Sequence, residues 1–272
     1  MPFLEMNPGQ IYWESDDFSD PWKQSKTFYM QSGFCRNGNF WRGWVPHLAR
    51  DFRVIRADLR GCGRSPDPGK EYQYKIDGLV DDFLNVRRQL ELDPVHYVGE
   101  SLGGIVGTIA AIKEPAAFAS LTLVSTPLKI RDEGQKLESL EFSSWQEALT
   151  ELGLEKWWLR VRREVFTGQT PDDARDTYFA RELARTSVRV AVELSLMVHG
   201  FNLEPYLSML NVPTLVLIPL NSKLSPQLDQ ESLGDGIPGA TIVTYPGATH
   251  DIYYLKPDEL AEETLRFVTG LK

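Results

Sequence analysis

Seven short apolar runs, rich in β-branched and aromatic residues, punctuate the sequence. They are IYWES from Ile11, KTFYM from Lys26, RVIRAD from Arg53, VHYVG from Val95, LTLVS from Leu121, TLVLIP from Thr214 and TIVTY from Thr241. The later runs are nearly unbroken, as strands covered on both faces of a parallel sheet tend to be. Between them the period lengthens. FWRGWVPHLAR from Phe40 reads as a helix, and in IDGLVDDFLNVRRQLEL the residues Leu79, Phe83, Val86 and Leu90 fall at helical spacing. SLGGIVGTIAAIKE predicts a helix starting at Ser101. PDELAEETLRFVTG has Pro257 at a helix start and Gly270 at its stop. Strands alternating with helices predict an α/β fold on a mostly parallel central sheet flanked by helices.

The alternation fails in one place. From about Pro127 to Met209 the periodic stretches are all helical. SSWQEALTEL carries a capping box, Ser144 to Glu147, and LEKWWLRVRREVF follows it. TPDDARDTYFAREL has Thr170 as a cap, Pro171 in the first turn, and Asp172 and Asp173 at the positive end of the helix dipole. SVRVAVELSLMVHG runs from a Ser187 cap to a Gly200 stop, and NLEPYLSML begins at an Asn202 cap. The expected organisation is an α/β core over residues 1–126 and 208–272, with an all-helical cap (lid) inserted at 127–207.

Composition narrows the class of function. The chain has 272 residues and a net charge of −9, with 42% hydrophobic and 25% charged residues, close to globular averages. The acidic balance argues against a nucleic-acid partner, which needs a basic face. The start, MPFLEMNPGQ, lacks the basic, apolar pattern of a signal peptide, and no run of about 18 apolar residues predicts a membrane span. Two cysteines, Cys35 and Cys62, are too few for a disulfide framework, so a reduced, cytoplasmic setting is expected. No histidine or acid cluster has metal-ligand spacing, and Gly103-Gly104 lacks the lysine of a phosphate loop. RGCGRSPDPG contains G-x-G, but nothing completes a dinucleotide fingerprint. No metal and no cofactor are expected, only a small-molecule substrate.

The candidate chemistry begins at Gly99-Glu100-Ser101-Leu102-Gly103. Ser101 stands where a predicted strand meets a predicted helix. Such a turn needs small residues on either side, and it holds the hydroxyl at a helix N-terminus, where the N–H of Leu102 can meet an oxyanion. A base must come from four histidines. His47 lies on an early helix, His96 within a strand, and His199 at the end of a helix in the inserted segment. His250 follows the last strand run, where the loops of α/β proteins gather ligand sites. His250 is the expected base. A second oxyanion donor is expected in the loop QSGFCRNGNFW, from the N–H of Phe34 after the turn at Gly33. Cys35, in the same loop, has no histidine beside it and reads as a structural thiol.

Four segments together resemble a known family. DLRGCGRS from Asp58, VGESLGG from Val98, PTLVLIPLNSKLSP from Pro213 and YPGATHDIY from Tyr245 are similar, in order and spacing, to α/β-hydrolase fold serine hydrolases. The group they resemble contains 3-oxoadipate enol-lactonases, related esterases and C–C bond hydrolases, and the opening MPFLEMNPGQIYWE is similar to its start. The resemblance spans residues 1–126 and 208–272. It implies Ser101 as nucleophile, His250 as base and then acid, and Phe34 and Leu102 as backbone oxyanion donors.

The sequence departs from that family at two points. Its usual His-Gly is Ser32-Gly33 here, and its third triad member, an Asp four residues before a proline, falls on Ser222, with Asn221 beside it. The alternative position, after the preceding strand run, holds Ser125 and Thr126. Asp229 and Glu231 lie in a segment read as helix, and Asp251 adjoins His250 itself. Three readings follow. Asn221 (or Ser222) orients the imidazole, as an amide does in Cys-His-Asn enzymes. An acid reaches in from elsewhere, including the cap. Or turnover is lost, leaving a ligand-binding or receptor-like protein. Ester or lactone hydrolysis of an apolar or aromatic metabolite is the expected activity; C–C hydrolysis and lyase, cyclase or cofactor-free chemistry are the alternatives.

Overall fold

The computed structural model describes residues 2–166 and 173–271. An eight-stranded sheet runs in the order β1-β2-β4-β3-β5-β6-β7-β8. The strands are β1 (Phe3–Glu5), β2 (Gln10–Asp16), β3 (Thr27–Gln31), β4 (Arg53–Ala57), β5 (Val95–Glu100), β6 (Phe118–Val124), β7 (Thr214–Pro219) and β8 (Thr241–Tyr245). β1 and β2 pair antiparallel at one edge; from β4 onward all pairs are parallel. The near-continuous apolar runs end up where the pattern requires, with β3, β5 and β7 buried along their whole length. The three-residue β1 was too short to show a period.

Helices cover the sheet: α1 (Val45–Leu48), α2 (Ile76–Gln89), α3 (Leu102–Lys113), α4 (Asp132–Glu138), α5 (Trp145–Glu164), α6 (Asp173–Leu183), α7 (Val188–Val198), α8 (Gln227–Asp235), α9 (Ile252–Leu255) and α10 (Pro257–Gly270). The helix expected through FWRGWVPHLAR is instead a 3₁₀ turn at Gly38–Trp41 followed by the single turn of α1. Pro46 explains the break, because it lacks an N–H and its ring would clash with the carbonyl four residues back in a longer helix.

Between β6 and β7 the chain leaves the sheet for α4 to α7 and a 3₁₀ stretch at Glu204–Met209. Ser144 Oγ accepts from Glu147 N–H, but the Glu147 carboxylate turns to Ser143 N–H rather than to Ser144, so the capping box closes one residue early. Gly153 interrupts α5 at φ 67°, ψ 163°. Ser187 caps α7, and Gly200, at φ 68°, takes the left-handed conformation that ends it. Thr170, Pro171 and Asp172, expected at the start of α6, lie outside the described residues. The chain leaves for this segment and returns from it side by side. Ile130 N–H donates to Phe201 O (2.9 Å) and Leu203 N–H to Leu128 O (2.8 Å), around a bridge between Lys129 and Asn202. No described helix is long and apolar enough to cross a membrane.

Candidate active site

The loops that leave the carboxyl ends of β3, β5, β7 and β8 meet at one crevice, the usual place for a site on an open parallel sheet. Ser101 follows β5 directly and precedes α3. Its backbone lies at φ 51°, ψ −116°, a conformation a non-glycine residue holds only when its surroundings enforce it. The enforcement is visible at the flanking glycines. A Cβ on Gly99 would stand 2.5 Å from Gly103 O, and one on Gly103 would stand 2.3 Å from Gln31 O. Only two bare backbones can cross so closely. The turn leaves Ser101 facing a cavity of about 70 Å³, and Leu102, Phe34 and His250 line the same cavity.

The charged residues beneath this cavity form a connected set. Glu100, the last residue of β5, has no exposed surface. Its carboxylate accepts from Arg36 Nη1 (2.9 Å) and Gly33 N–H (2.9 Å), and lies 3.4 Å from His250 Nε2. Arg36 Nη2 donates to Asp251 Oδ1 (2.9 Å), and Arg162 Nη1, from α5, donates to Asp251 Oδ2 (3.0 Å). Tyr254 OH also donates to Asp251 Oδ2 (3.0 Å). Arg162 Nη2 also lies 3.5 Å from Asp176 Oδ1, so two buried guanidinium groups face three buried carboxylates, the pairing that makes burial of charge tolerable. Burial alone would raise the Glu100 pKa. Arg36, His250 and the Gly33 N–H outweigh it and hold the carboxyl below the usual carboxylate range.

His250 is almost fully buried, with Phe166 of the inserted segment at a ring-centroid distance of 6.2 Å. Its Nδ1 is buried without a hydrogen-bond partner, and no hydrogen bond joins the ring to Ser101 among the described residues. At rest the imidazole leans on Glu100.

Asn221 is not where the sequence reading puts it. Its backbone N–H donates to Ala248 O (2.8 Å) and the residue is exposed, so its amide does not orient the ring. Ser222 Oγ accepts from Ser225 N–H (3.3 Å). Asp229 is bound by Arg131, and Asp251 by Arg36 and Arg162. The carboxylate that does reach His250 sits one residue before the serine. Its signal was present in VHYVGE, a fully buried strand that ends in an acid and so demands a buried cation. Arg36, in the loop after β3, answers that demand. Cys35 and Cys62 are both buried and free, and burial, with Cys62 beside it, pushes the Cys35 thiol well up, away from reactivity.

The inserted segment supplies the roof. Trp145, Trp157 and Trp158 of α5 line the cavity over Ser101, and Arg36 lies 5.0 Å beneath the Trp158 ring. Glu138, half-buried at the end of α4, also faces the cavity, and partial loss of solvent there, only partly offset by Arg36, pushes its carboxyl up to about 8. It went unread because RDEGQKLESL has no apolar period. Among the described residues no group of three or more His, Cys, Asp or Glu could hold a metal ion.

Comparison with known proteins agrees with this geometry. The alpha/beta hydrolase fold family matches residues 26–257. A protein named as a carbamate hydrolase in Rhizobium rhizogenes is 26% identical over 256 residues, covering 90% of this chain and 93% of its own. A strigolactone esterase of Arabidopsis thaliana is 26% identical over 223 residues, 80% of this chain and 82% of its own. Among solved structures, an enol-lactonase from Burkholderia xenovorans superposes with a TM-score of 0.83 at 19% identity, over 99% of this chain and 100% of that one. An esterase from Exiguobacterium antarcticum does so with 0.85 at 18% identity, over 98% and 99%. With the strand order, the strained serine turn and the match over residues 26–257 in hand, the chain belongs to the alpha/beta hydrolase fold family and is a hydrolase of that family.

Proposed function

We propose that this protein hydrolyses a small carboxylic ester or lactone through an acyl intermediate on Ser101, with His250 as base and Glu100 in the role of the missing aspartate. The observation that carries the reading is Ser101 in its strained turn at the head of α3, facing the same cavity as His250. In the first step Ser101 Oγ adds to the substrate carbonyl and its proton passes to the imidazole. The N–H groups of Leu102 and Phe34 hold the oxyanion. The resulting imidazolium faces Glu100, whose charge opposes the new one, and then returns the proton to the leaving oxygen. Water repeats the cycle and frees the acid. The resting ring must shift from Glu100 toward Ser101 as substrate arrives, because the two make no hydrogen bond beforehand. The aromatic roof favours an apolar or aromatic substrate of modest size.

The test is labelling with a fluorophosphonate probe, read by intact mass and peptide mapping. Wild type should gain one label at Ser101, Ser101→Ala none, and His250→Gln should react at least about a hundredfold more slowly. Labelling that survives Ser101→Ala, or fails in the wild type, overturns the proposal.

A further inference from the structure

The charges around the cavity are matched with one exception. Arg36 is shared by Glu100 and Asp251, Arg131 is held by both oxygens of Asp229 (2.7 and 2.8 Å), and His250 leans on Glu100. Glu138 is the single carboxyl group among the described lining residues, and its side chain makes no hydrogen bond or ion pair among the described residues. Its backbone is fixed, since Trp157 Nε1 donates to Glu138 O (2.9 Å). Trp145, Trp157, Trp158, Phe34 and Ile130 line the same cavity. A half-buried carboxyl facing a cavity lined by indole rings, with no cation of its own, is shifted toward the neutral acid, and a neutral acid is an O–H donor. Gln135 and Ser225 line the same cavity, and each has a buried polar atom without a partner, Nε2 and Oγ. Three potential donors thus surround a chamber that has no spare positive charge.

We propose that Glu138 is a specificity residue that donates a hydrogen bond, as a neutral carboxylic acid, to an uncharged oxygen on the acyl part of the substrate. The chamber then takes esters or lactones of oxo- or alkoxy-acids and disfavours acyl groups that carry a carboxylate. The assignment rests on the serine-hydrolase reading above. It depends on pH through the groups that face Glu138: Arg36 favours its ionisation, Asp251 opposes it, Cys35 lies close enough to feel its charge, and His250 and Arg131 share the lining. The raised carboxyl keeps its proton at neutral pH and loses it as pH rises through about 8, so donation fails on the alkaline side.

Three 4-nitrophenyl esters of nearly equal shape test it: the 4-oxopentanoate, with a ketone oxygen; the pentanoate, with none; and the hemisuccinate, with a carboxylate. At pH 7 wild type should favour the 4-oxopentanoate over the pentanoate by about tenfold in kcat/KM, the effect of one hydrogen bond, and over the hemisuccinate by at least as much. Glu138→Gln, which still donates, should keep the ketone preference and hold it above pH 9, where wild type loses it. Glu138→Leu should bring the preference to about twofold or less. At pH 7 the infrared band of a protonated carboxyl should be present in wild type and absent in Glu138→Gln, whatever the turnover. Equal rates on ketone and pentanoate esters, an unchanged preference in Glu138→Leu, or no such band overturns the assignment. If the fluorophosphonate labels Ser101 while the esters are not distinguished, the Glu138 assignment falls alone; if nothing is labelled, both fall.

Discussion

Glu100→Gln separates the structural use of Glu100 from its chemical use. The amide preserves shape and can still accept from Gly33 N–H, but it removes one of the two carboxylates paired with Arg36. Breaking a buried pair costs about 3–5 kcal/mol, and the surviving amide contacts place this case near 3. At about 2–4 °C per kcal/mol for a chain of this size, Tm should fall by about 6–12 °C. A stability of about 5–15 kcal/mol leaves the variant folded at 25 °C. The catalytic effect is separate. Replacing the triad acid by its amide costs about 10⁴ in kcat in a Ser-His-Asp protease, about 5–6 kcal/mol. The contact here, 3.4 Å, is longer than a strong charge-assisted bond, so a loss of about 10²–10³ is expected. The assays are kcat with 4-nitrophenyl acetate, the fluorophosphonate labelling rate, and melting by scanning fluorimetry. Acidification supplies a sign check. A carboxyl held below its ordinary range contributes its full stabilisation above that range and loses it as pH falls through the folded value. The gap in Tm between wild type and variant should therefore narrow below about pH 4.3. A variant that melts early but keeps kcat within about threefold of wild type refutes Glu100 as the acid.

Three further outcomes follow from the same geometry. Asn221→Ala should leave kcat/KM within about twofold, because only its backbone N–H is engaged; a loss of about a hundredfold would restore it as the orienting group. Gly103→Ala should cost about 2–3 kcal/mol, read by urea denaturation, because its methyl carbon would press on the Gln31 carbonyl; a wild-type midpoint would show that the crossing has slack. Arg162→Met should lower stability by about 3–5 kcal/mol by leaving Asp251 with Arg36 alone, and unchanged melting would show that Arg36 and Tyr254 suffice.

Much of the scaffold was legible because period and burial agree. β7 and β8 begin and end with their apolar runs, and α10 spans its proline and glycine signals. Ser101 was readable because its flanking glycines answer a need for close backbone crossing, within the turn at Gly99 and against β3 at Gly103, that leaves its mark in the local sequence. The contact of Glu100 with His250 was not readable, because it joins residues 150 positions apart and is set by Arg36 from a third loop. Position after β7 points to Asn221, whereas the neutralisation that a charge at the end of a buried strand requires points to Glu100. Glu138 was hidden for the opposite reason. α4 carries no buried residue, so its sequence shows no apolar stripe to mark the helix that holds it.

The paired crossings at residues 128–130 and 201–203 have an evolutionary consequence. A segment whose two ends meet at one short bridge can be exchanged for another of different length at little cost in loop-closure entropy. The sheet, the serine turn and His250 would remain as they are, while the roof and with it the range of compounds accepted could change in one recombination event. The exchange would carry obligations, and the most deeply buried is an ion pair. Arg162 comes from α5, between β6 and β7, and Asp251 from the loop after β8, next to the histidine. Any incoming roof would either bring an arginine to the same place or leave Asp251 with Arg36 and Tyr254 only, so that this ion pair is one of the contacts that would select among roofs.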